Sequence, residues 1–197
     1  MNGGAGPIPV IGIAGWKKSG KTTLVVRLIE EFTRRGLKVA SVKHAHHNFQ
    51  IDDAETDSAR HRRAGAAQVA VVSAKRWALI GELGGAPEPD LAEVLAWLGP
   101  CDLVIVEGYK SSAIPKIEVR RAAASSREPL APKAPKVIAI AADHDVADAQ
   151  GLATFALDDV ATIADFIAAS IGLRPKSTTA GAPETTPVAT ARDTPAK

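Results

Sequence analysis

The residues with the clearest chemical pattern lie at 15–22, where the chain reads G-W-K-K-S-G-K-T. This stretch fits G-x-x-x-x-G-K-[ST] at every fixed position, which is the pattern of a phosphate-binding loop. Glycines let the backbone N–H groups of such a loop turn toward one anion, and the helix that follows adds its positive end. The predicted nucleotide-binding residues are Gly15, Lys17, Lys18, Ser19, Gly20, Lys21, Thr22 and Thr23.

Three of these side chains have separate expected roles. Lys21 is placed to reach the β- and γ-phosphates, and Thr22 to give its hydroxyl to Mg²⁺. Thr23 is expected near the α-phosphate. A chance match in a glycine-rich turn is the alternative, and the elements on either side of the loop argue against it.

Those elements are a strand before the loop and a helix after it. Residues 10–14 form a short apolar run typical of a buried strand, and apolar residues recur at helical spacing over 24–32 before Gly36. A second strand at 37–42 completes a β-α-β unit with a right-handed crossover. We therefore predict an α/β, P-loop NTPase-like fold, with a mostly parallel twisted sheet and helices on both faces. Residues 67–72 and 77–81 predict a hairpin that adds antiparallel edge strands.

Carboxylates form the second chemical group. A buried strand over 102–108 ends at Glu107, where the side chain could hold Mg²⁺ through water or orient an attacking water molecule. Asp52 and Asp53 follow the second strand, in the region where nucleotidases place a switch loop. We predict Glu107 and Asp52 as catalytic residues, and Thr22, Asp52 and Glu107 as metal ligands. A surface glutamate and a solvated aspartate pair are the ordinary alternatives.

His44, His46 and His47 lie in the same polar segment and could chelate a metal. No carboxylate or thiol at characteristic spacing specifies one, so contact with phosphate or a partner stays open as well. A short helix over 57–64 places Arg60 and Arg63 on one face. His46, His47, Arg60 and Arg63 are thus candidates for a second anion or partner site, although a solvated helix face would also explain the arginines.

The base of the nucleotide is weakly specified by the residues. A guanine-reading N-K-x-D sequence is absent from the chain. Asp143 follows the strand predicted at 137–141 and could accept hydrogen bonds from guanine N1 and N2, but nothing local separates it from an ordinary loop aspartate. The residues alone therefore leave guanine and adenine open.

Composition bounds the remaining possibilities. The 197 residues suit one domain, predicted at 9–173, between a flexible N-terminus at 1–8 and a disordered Thr/Ala/Pro-rich tail at 174–197. The tail carries four basic and two acidic residues, so 1–173 balance at 20 of each and indicate no nucleic-acid surface. Cys101 is the single cysteine, which excludes an intrachain disulfide. Without a signal peptide or membrane-length apolar run, we expect a cytoplasmic protein that does not bind membranes.

A series of motifs in one order resembles the family of molybdopterin-guanine dinucleotide biosynthesis adaptor proteins, MobB, over residues 9–172. The motifs lie at 15–24, 42–47, 57–58, 61–66, 76–79, 102–110 and 115–120. The resemblance implies a homodimeric GTP-binding protein with weak GTPase activity, GTP and Mg²⁺ being its cofactors. It would assist the molybdenum cofactor guanylyltransferase in attaching GMP to molybdopterin.

The resemblance also implies site residues. Lys21 and Thr22 match the phosphate and Mg²⁺ contacts of the family, Asp52 the switch-loop acid and Glu107 the acid of the second nucleotidase strand. His46 and His47 match paired histidines near the nucleotide and the cofactor-binding surface. The family's loop often reads D-x-D-x-P-G-K-D-S, whereas residues 50–58 read Q-I-D-D-A-E-T-D-S, so the first acid of the pattern and its basic residue are missing.

Two other functions use the same loop. A small-molecule kinase usually closes an arginine-bearing lid over the phosphates, and the exposed loop predicted at 122–135 offers only Arg127 and Lys133. A metallochaperone GTPase would instead load a metal through His44–His47.

Overall fold

The computed structural model describes residues 7–45, 55–126, 128–130 and 134–173. Its strands are β1 (Val10–Gly15), β2 (Val39–Lys43), β3 (Gln68–Val72), β4 (Trp77–Gly81), β5 (Leu103–Glu107), β6 (Lys116–Arg120), β7 (Val137–Ala142) and β8 (Ala153–Ala156). Its helices are α1 (Lys21–Arg34), α2 (Asp57–Arg63), α3 (Leu91–Ala96) and α4 (Val160–Ser170).

Six strands form one parallel sheet in the order β2-β5-β1-β6-β7-β8. Strand β1 lies in the middle, with β5 and β6 as its neighbours, so the residues that follow β1 meet those that follow β5 and β6. Nearly all side chains of β1, β5 and β6 are buried, as expected for a parallel sheet covered on both faces. The predicted mostly parallel α/β fold is confirmed.

Alternating residues of β5 show the two covered faces. Leu103 and Ile105 join the apolar cluster that contains side chains of α1 and α4, whereas Val104 and Val106 join the cluster that contains Leu91 of α3. The prediction of helices on both faces is therefore confirmed. Asp90 caps helix α3 in a capping box, because Asp90 and Glu93 each accept a hydrogen bond from the other's backbone N–H.

The antiparallel hairpin exists, but it is not an edge of the main sheet. Strands β3 and β4 form a separate two-stranded sheet, so the predicted edge position was wrong. Helix α2 packs against β3 and the hairpin associates with that helix instead of with β2 or β8. Strand β8, which the sequence analysis missed, forms the actual edge beside β7. Its four residues, A-T-F-A, carry too little β-branched character to stand out.

Several sequence predictions fall on other parts of the chain. The flexible segment 1–8, except for Pro7 and Ile8, and the tail 174–197 lie outside the described residues. Within the described ranges, the helices are all too short or too polar to cross a bilayer. The cytoplasmic location stays a prediction.

Candidate functional site

The loop between β1 and α1 is tightly folded and closely packed. At Gly15 a Cβ atom would lie 2.4 Å from Ser19 Oγ and 2.6 Å from the Val119 carbonyl oxygen, so only glycine fits. Lys18 and Gly20 have positive φ angles of 65° and 91°. Two left-handed residues so close together turn the chain tightly, which is the geometry expected of a phosphate-binding loop.

The start of α1 faces this loop. No side chain caps the helix, whose N-cap residue is Gly20. The N–H groups of its first turn, from Lys21 to Thr23, are therefore available to an anion, and the helix dipole favours negative charge there. Ser19 Oγ is buried and has no hydrogen-bond partner among the described residues. Because buried hydroxyls are nearly always paired, this orphan is consistent with a polar ligand in the loop.

Thr22 and Glu107 meet beside the loop. Thr22 Oγ1 donates a hydrogen bond of 2.8 Å to Glu107 Oε1, and Glu107 is buried at the end of β5. The parallel register that pairs Ile13 with Glu107 brings this carboxylate to the loop. A hydroxyl and a carboxylate are the hard oxygen ligands that Mg²⁺ prefers, so the donor set fits the predicted cation. The metal roles of both residues stay predictions.

Three lysines lie near the Thr22–Glu107 contact and the phosphate-binding loop. Lys21 Nζ donates to the Trp16 carbonyl at 2.8 Å, and Lys43 Nζ lies 3.8 Å from Glu107 Oε1. Lys110 Nζ lies 4.3 Å from the centre of the Trp16 ring. Burial lowers the pKa of Lys21, and the nearby charges of Lys110 and Lys43 lower it further while Glu107 raises it. The site therefore concentrates positive charge, as a polyphosphate would require.

Sequence reasoning missed Lys43 and Lys110 as site residues. Their positions relative to predicted strands could have indicated them. Lys43 ends β2, and Lys110 is the third residue after Glu107, which ends β5. Both strand ends lie at the edge of the sheet where ligands of open α/β sheets bind.

Residues 121–126 and 128–130 contact the loop from the other side. Ser125 donates to the Lys17 carbonyl through its N–H and its hydroxyl, both at 3.0 Å, and Trp16 Nε1 donates to the Glu128 carbonyl at 2.6 Å. Leu130 and Ala134 are buried against Ala14. The expectation that 122–135 form an exposed loop was therefore wrong for Leu130 and Ala134, whose apolar side chains pack on the end of β1, whereas residues 122, 123, 125 and 128 are exposed. Arg127 and Lys133 lie outside the described residues.

A second feature lies at the ends of β7 and β8. A cavity of about 470 Å³ is lined by residues 142–146 and 154–158, which include Asp143. It adjoins the phosphate loop, because Leu157 and Arg121 lie within 3.6 Å of where a Cβ on Gly20 would be. This volume falls within the range of small-molecule sites. The contribution of Phe155 and Leu157 was missed with β8.

Asp143 already has partners in this cavity. Its Oδ1 accepts from the Ala122 N–H at 2.8 Å and lies 2.9 Å from His144 Nδ1, while Oδ2 lies 3.6 Å from Arg121 Nε. The hydrogen bond with His144, and then that with Ala122, lowers the pKa of Asp143. The carboxylate is therefore ionised at neutral pH, with Oδ2 the less engaged oxygen.

The remaining predicted residues either lie on α2 or fall outside the described part of the chain. Asp52, His46 and His47 lie outside the described residues. Arg60 and Arg63 are exposed on α2, with Arg60 Nη1 3.6 Å from Asp57 Oδ1 of the same helix. Across the described ranges, no three His, Cys, Asp or Glu side chains are grouped so that they could hold a metal ion. The second anion site stays a prediction.

Known proteins resemble this chain over most of its length. The family model described as MobB, molybdopterin guanine dinucleotide synthesis protein B, matches residues 10–143. The molybdopterin-guanine dinucleotide biosynthesis adapter protein of Haemophilus influenzae is 37% identical over 163 residues, which cover 81% of this chain and 88% of that protein. The Escherichia coli protein of the same name is 37% identical over 162 residues, covering 77% and 93%.

Solved structures match in the same way. The crystal structure of Bacillus subtilis MobB superposes with a TM-score of 0.66 at 27% identity, covering 83% of this chain and 98% of that one. The MobB homologue from Bacillus stearothermophilus gives a TM-score of 0.63 at 27% identity, covering 84% and 99%.

Proposed function

Because the chain belongs to the MobB family, molybdopterin guanine dinucleotide synthesis protein B, we propose that it is an adaptor in molybdenum cofactor biosynthesis. In this proposal it binds GTP, hydrolyses it weakly, and assists a guanylyltransferase in attaching GMP to molybdopterin. The sequence resemblance to this family is confirmed by the matches to the family model and to the named relatives.

The observation that carries GTP binding is the juxtaposition of Thr22 and Glu107 at the uncapped start of α1. Thr22 and Glu107 would hold Mg²⁺, which neutralises charge on the β- and γ-phosphates. Lys21 would leave the Trp16 carbonyl and bind those phosphates, while the N–H groups of the first turn orient them. Slow hydrolysis is expected because no arginine in the described part of the site is placed on the terminal phosphate.

Guanine selection is assigned to the cavity beyond β7 and β8. Asp143 lines it, is ionised, and keeps Oδ2 directed toward Arg121 rather than a backbone donor. A carboxylate there can accept from N1 and N2 of guanine, whereas adenine offers no matching pair of donors. The adjoining Leu157 connects this cavity to Gly20.

A homodimer is also proposed, through the outer face of the hairpin. Cross-strand pairing places Ala70 with Leu79 and Val72 with Trp77 on that face. Val72 is 76% exposed, Trp77 71% and Leu79 55%. An apolar patch of this kind on a two-stranded sheet is typical of an association surface.

The test is calorimetric titration with GTP and with ATP in Mg²⁺, using wild type and Lys21→Ala, with Lys75→Ala as a control in the hairpin turn. We expect GTP to bind in preference to ATP, and this binding to be lost only in Lys21→Ala. Stimulation of molybdopterin guanylylation by a purified guanylyltransferase should follow the same pattern. Preferential ATP binding would instead support the kinase alternative and remove Asp143 as a guanine reader.

A further inference from the structure

We propose that Lys110 is a second phosphate-binding residue of the nucleotide site, whose ammonium group contacts the terminal phosphate of a bound nucleoside triphosphate. The inference rests on the proposed function, because it takes nucleotide binding at the loop as given. It adds a residue from outside the G-x-x-x-x-G-K-T pattern as a source of positive charge for the γ-phosphate.

The backbone after Glu107 is shaped to bring Lys110 back over the loop. Gly108 and Tyr109 have φ angles of 95° and 46°, so two successive residues are left-handed. At Gly108 a Cβ would lie 2.9 Å from His44 Cβ, which requires glycine. A left-handed tyrosine is uncommon and costly, and such conformations cluster at functional sites.

The surroundings hold Tyr109 in that conformation. Its ring packs on His44, with 4.6 Å between ring centroids, and joins the apolar cluster of Val104 and Val106. The turn is therefore fixed from both sides, by the packing of Tyr109 and by the Gly108 N–H, which donates to the Ile13 carbonyl at 3.1 Å. Lys110 is the first residue after this turn.

The indole ring of Trp16, which belongs to the loop, contacts Lys110 and is itself held by a hydrogen bond. The ring nitrogen donates to the Glu128 carbonyl, and Lys110 Nζ lies 4.3 Å from the ring centre, within cation–π distance. The carbonyl of the same residue accepts from Lys21 Nζ. The two ammonium groups thus flank one residue of the loop, Lys21 at its backbone and Lys110 at its side chain.

The charges at this point are unbalanced. Lys43 and Lys110 both act on Lys21, and Glu107 is the one carboxylate among the charges that act on it. Glu107 lies within ion-pair distance of Lys43, but within the described ranges no carboxylate lies that close to Lys110. A cation–π contact is weaker than a charge-assisted bond to phosphate, so a phosphate oxygen within reach would draw the ammonium from the ring.

Movement of the Lys110 ammonium from the Trp16 ring to a phosphate can be followed by the fluorescence of Trp16. The chain has three tryptophans, and replacing Trp77 and Trp97 by phenylalanine leaves Trp16 as the only one. In that background we would titrate GTP and GDP with Mg²⁺, following Trp16 fluorescence and, separately, nucleotide affinity by equilibrium dialysis. The variants are Lys110→Met, Lys110→Gln and Lys110→Arg, with Lys75→Met as the matched surface control.

We expect GTP to change Trp16 fluorescence more than GDP. Lys110→Met and Lys110→Gln should abolish that difference and weaken GTP binding about tenfold, with a smaller effect on GDP. Lys110→Arg should restore most of the GTP affinity, and Lys75→Met should behave as wild type. Thermal melting verifies folding, and Lys110→Gln stands in if the methionine variant unfolds.

Three results would overturn the proposal in distinguishable ways. Folded protein that binds no GTP defeats the proposed function itself, and the role of Lys110 with it. GTP binding that is unchanged in Lys110→Met leaves the function standing and removes Lys110. An equal loss of GTP and GDP affinity together with a lower melting temperature would show that Lys110 only supports the loop.

Discussion

Thr22 and Glu107 are 85 residues apart in the chain, yet their side chains share a hydrogen bond of 2.8 Å. The contact depends on two features of the fold. Parallel pairing of β1 with β5 places Glu107 level with Ile13, near the end of β1. The tight loop after β1 then begins α1 at a position where the Thr22 side chain faces Glu107. A hydroxyl and a carboxylate are thereby fixed at the positive end of a helix, where Mg²⁺ and phosphate would meet.

The first prediction concerns this pair. Glu107→Gln keeps the shape and the acceptor for Thr22 but removes the negative charge, so Mg²⁺-dependent GTP affinity should fall by about 10- to 100-fold. Affinity measured in EDTA should change little. Titrations with and without Mg²⁺ check this, with Glu30→Gln as the control, because Glu30 is an exposed residue of α1. An equal loss with and without Mg²⁺ would contradict a metal role.

The second prediction is a pH dependence of binding. Burial lowers the pKa of Lys21 below its ordinary value of 10.5, whereas bound phosphate favours the protonated form. GTP affinity should therefore be flat near neutral pH and decline as the pH rises through the lowered pKa, by at most about tenfold per pH unit. Titrations from pH 7 to 10 measure it. Lys21→Arg should remove the decline, because a guanidinium stays charged throughout.

The effect of the same group on folding has the opposite sign. Between the lowered pKa and 10.5 the unfolded chain binds more protons at Lys21 than the folded chain does. Stability contributed by this group therefore rises with pH across that window. A parallel loss of stability and GTP affinity on raising the pH would indicate general unfolding rather than titration of Lys21.

Much of the site follows from sequence because its main parts are local or end a recognisable strand. The loop at 15–22 needs only its glycines and the helix that follows, and Glu107 ends a five-residue strand whose other four residues are apolar. Lys110 could not be placed in this way. Its position depends on a left-handed Tyr109 held by His44, a contact between strand ends that no local pattern encodes.

The fold shows the same division. Periodicity predicted strands β1, β2, β5 and β7 and helix α1, because those segments are long or strongly apolar. It failed for β8, whose identity as a strand depends on pairing with β7, and it misplaced the hairpin, whose position depends on packing against α2. Both errors arise where tertiary contacts outweigh local propensity.

A third prediction addresses guanine selection. Asp143→Asn keeps an acceptor for the Ala122 N–H but loses the charge that would bind guanine N1 and N2. The ratio of GTP to ATP affinity should fall at least about tenfold, the scale of a hydrogen bond to a charged group. Asp145→Asn, on the same cavity, is the comparison. If the ratio falls in that variant instead, Asp145 is the base-reading residue.

The fourth prediction concerns the stability contributed by the buried ion pair of Glu118 and Arg120. Glu118 and Arg120 are buried, with Arg120 Nε 2.8 Å from Glu118 Oε1, and the Leu130 N–H donates to the same oxygen. Glu118→Ala leaves the guanidinium without this partner, although Asp148 still pairs with it. Unfolding free energy should fall by about 3 kcal/mol. Urea denaturation measures the loss, with Glu30→Ala as an exposed control; an unchanged midpoint would contradict it.

The last prediction tests the outer face of the hairpin. Val72 and Trp77 are cross-strand partners there, and Trp77 is 71% exposed. A second copy covering this face would form a symmetric interface that contains Trp77 of both subunits. Trp77→Ser would therefore remove a large apolar side chain from each side of the interface. Sedimentation analysis should then show a monomer at concentrations where wild type is dimeric. Trp97→Ser removes a tryptophan that is also exposed, at 66%, but lies outside the hairpin, and it should remain dimeric. Dissociation of both variants, or of neither, would place the contact between subunits elsewhere.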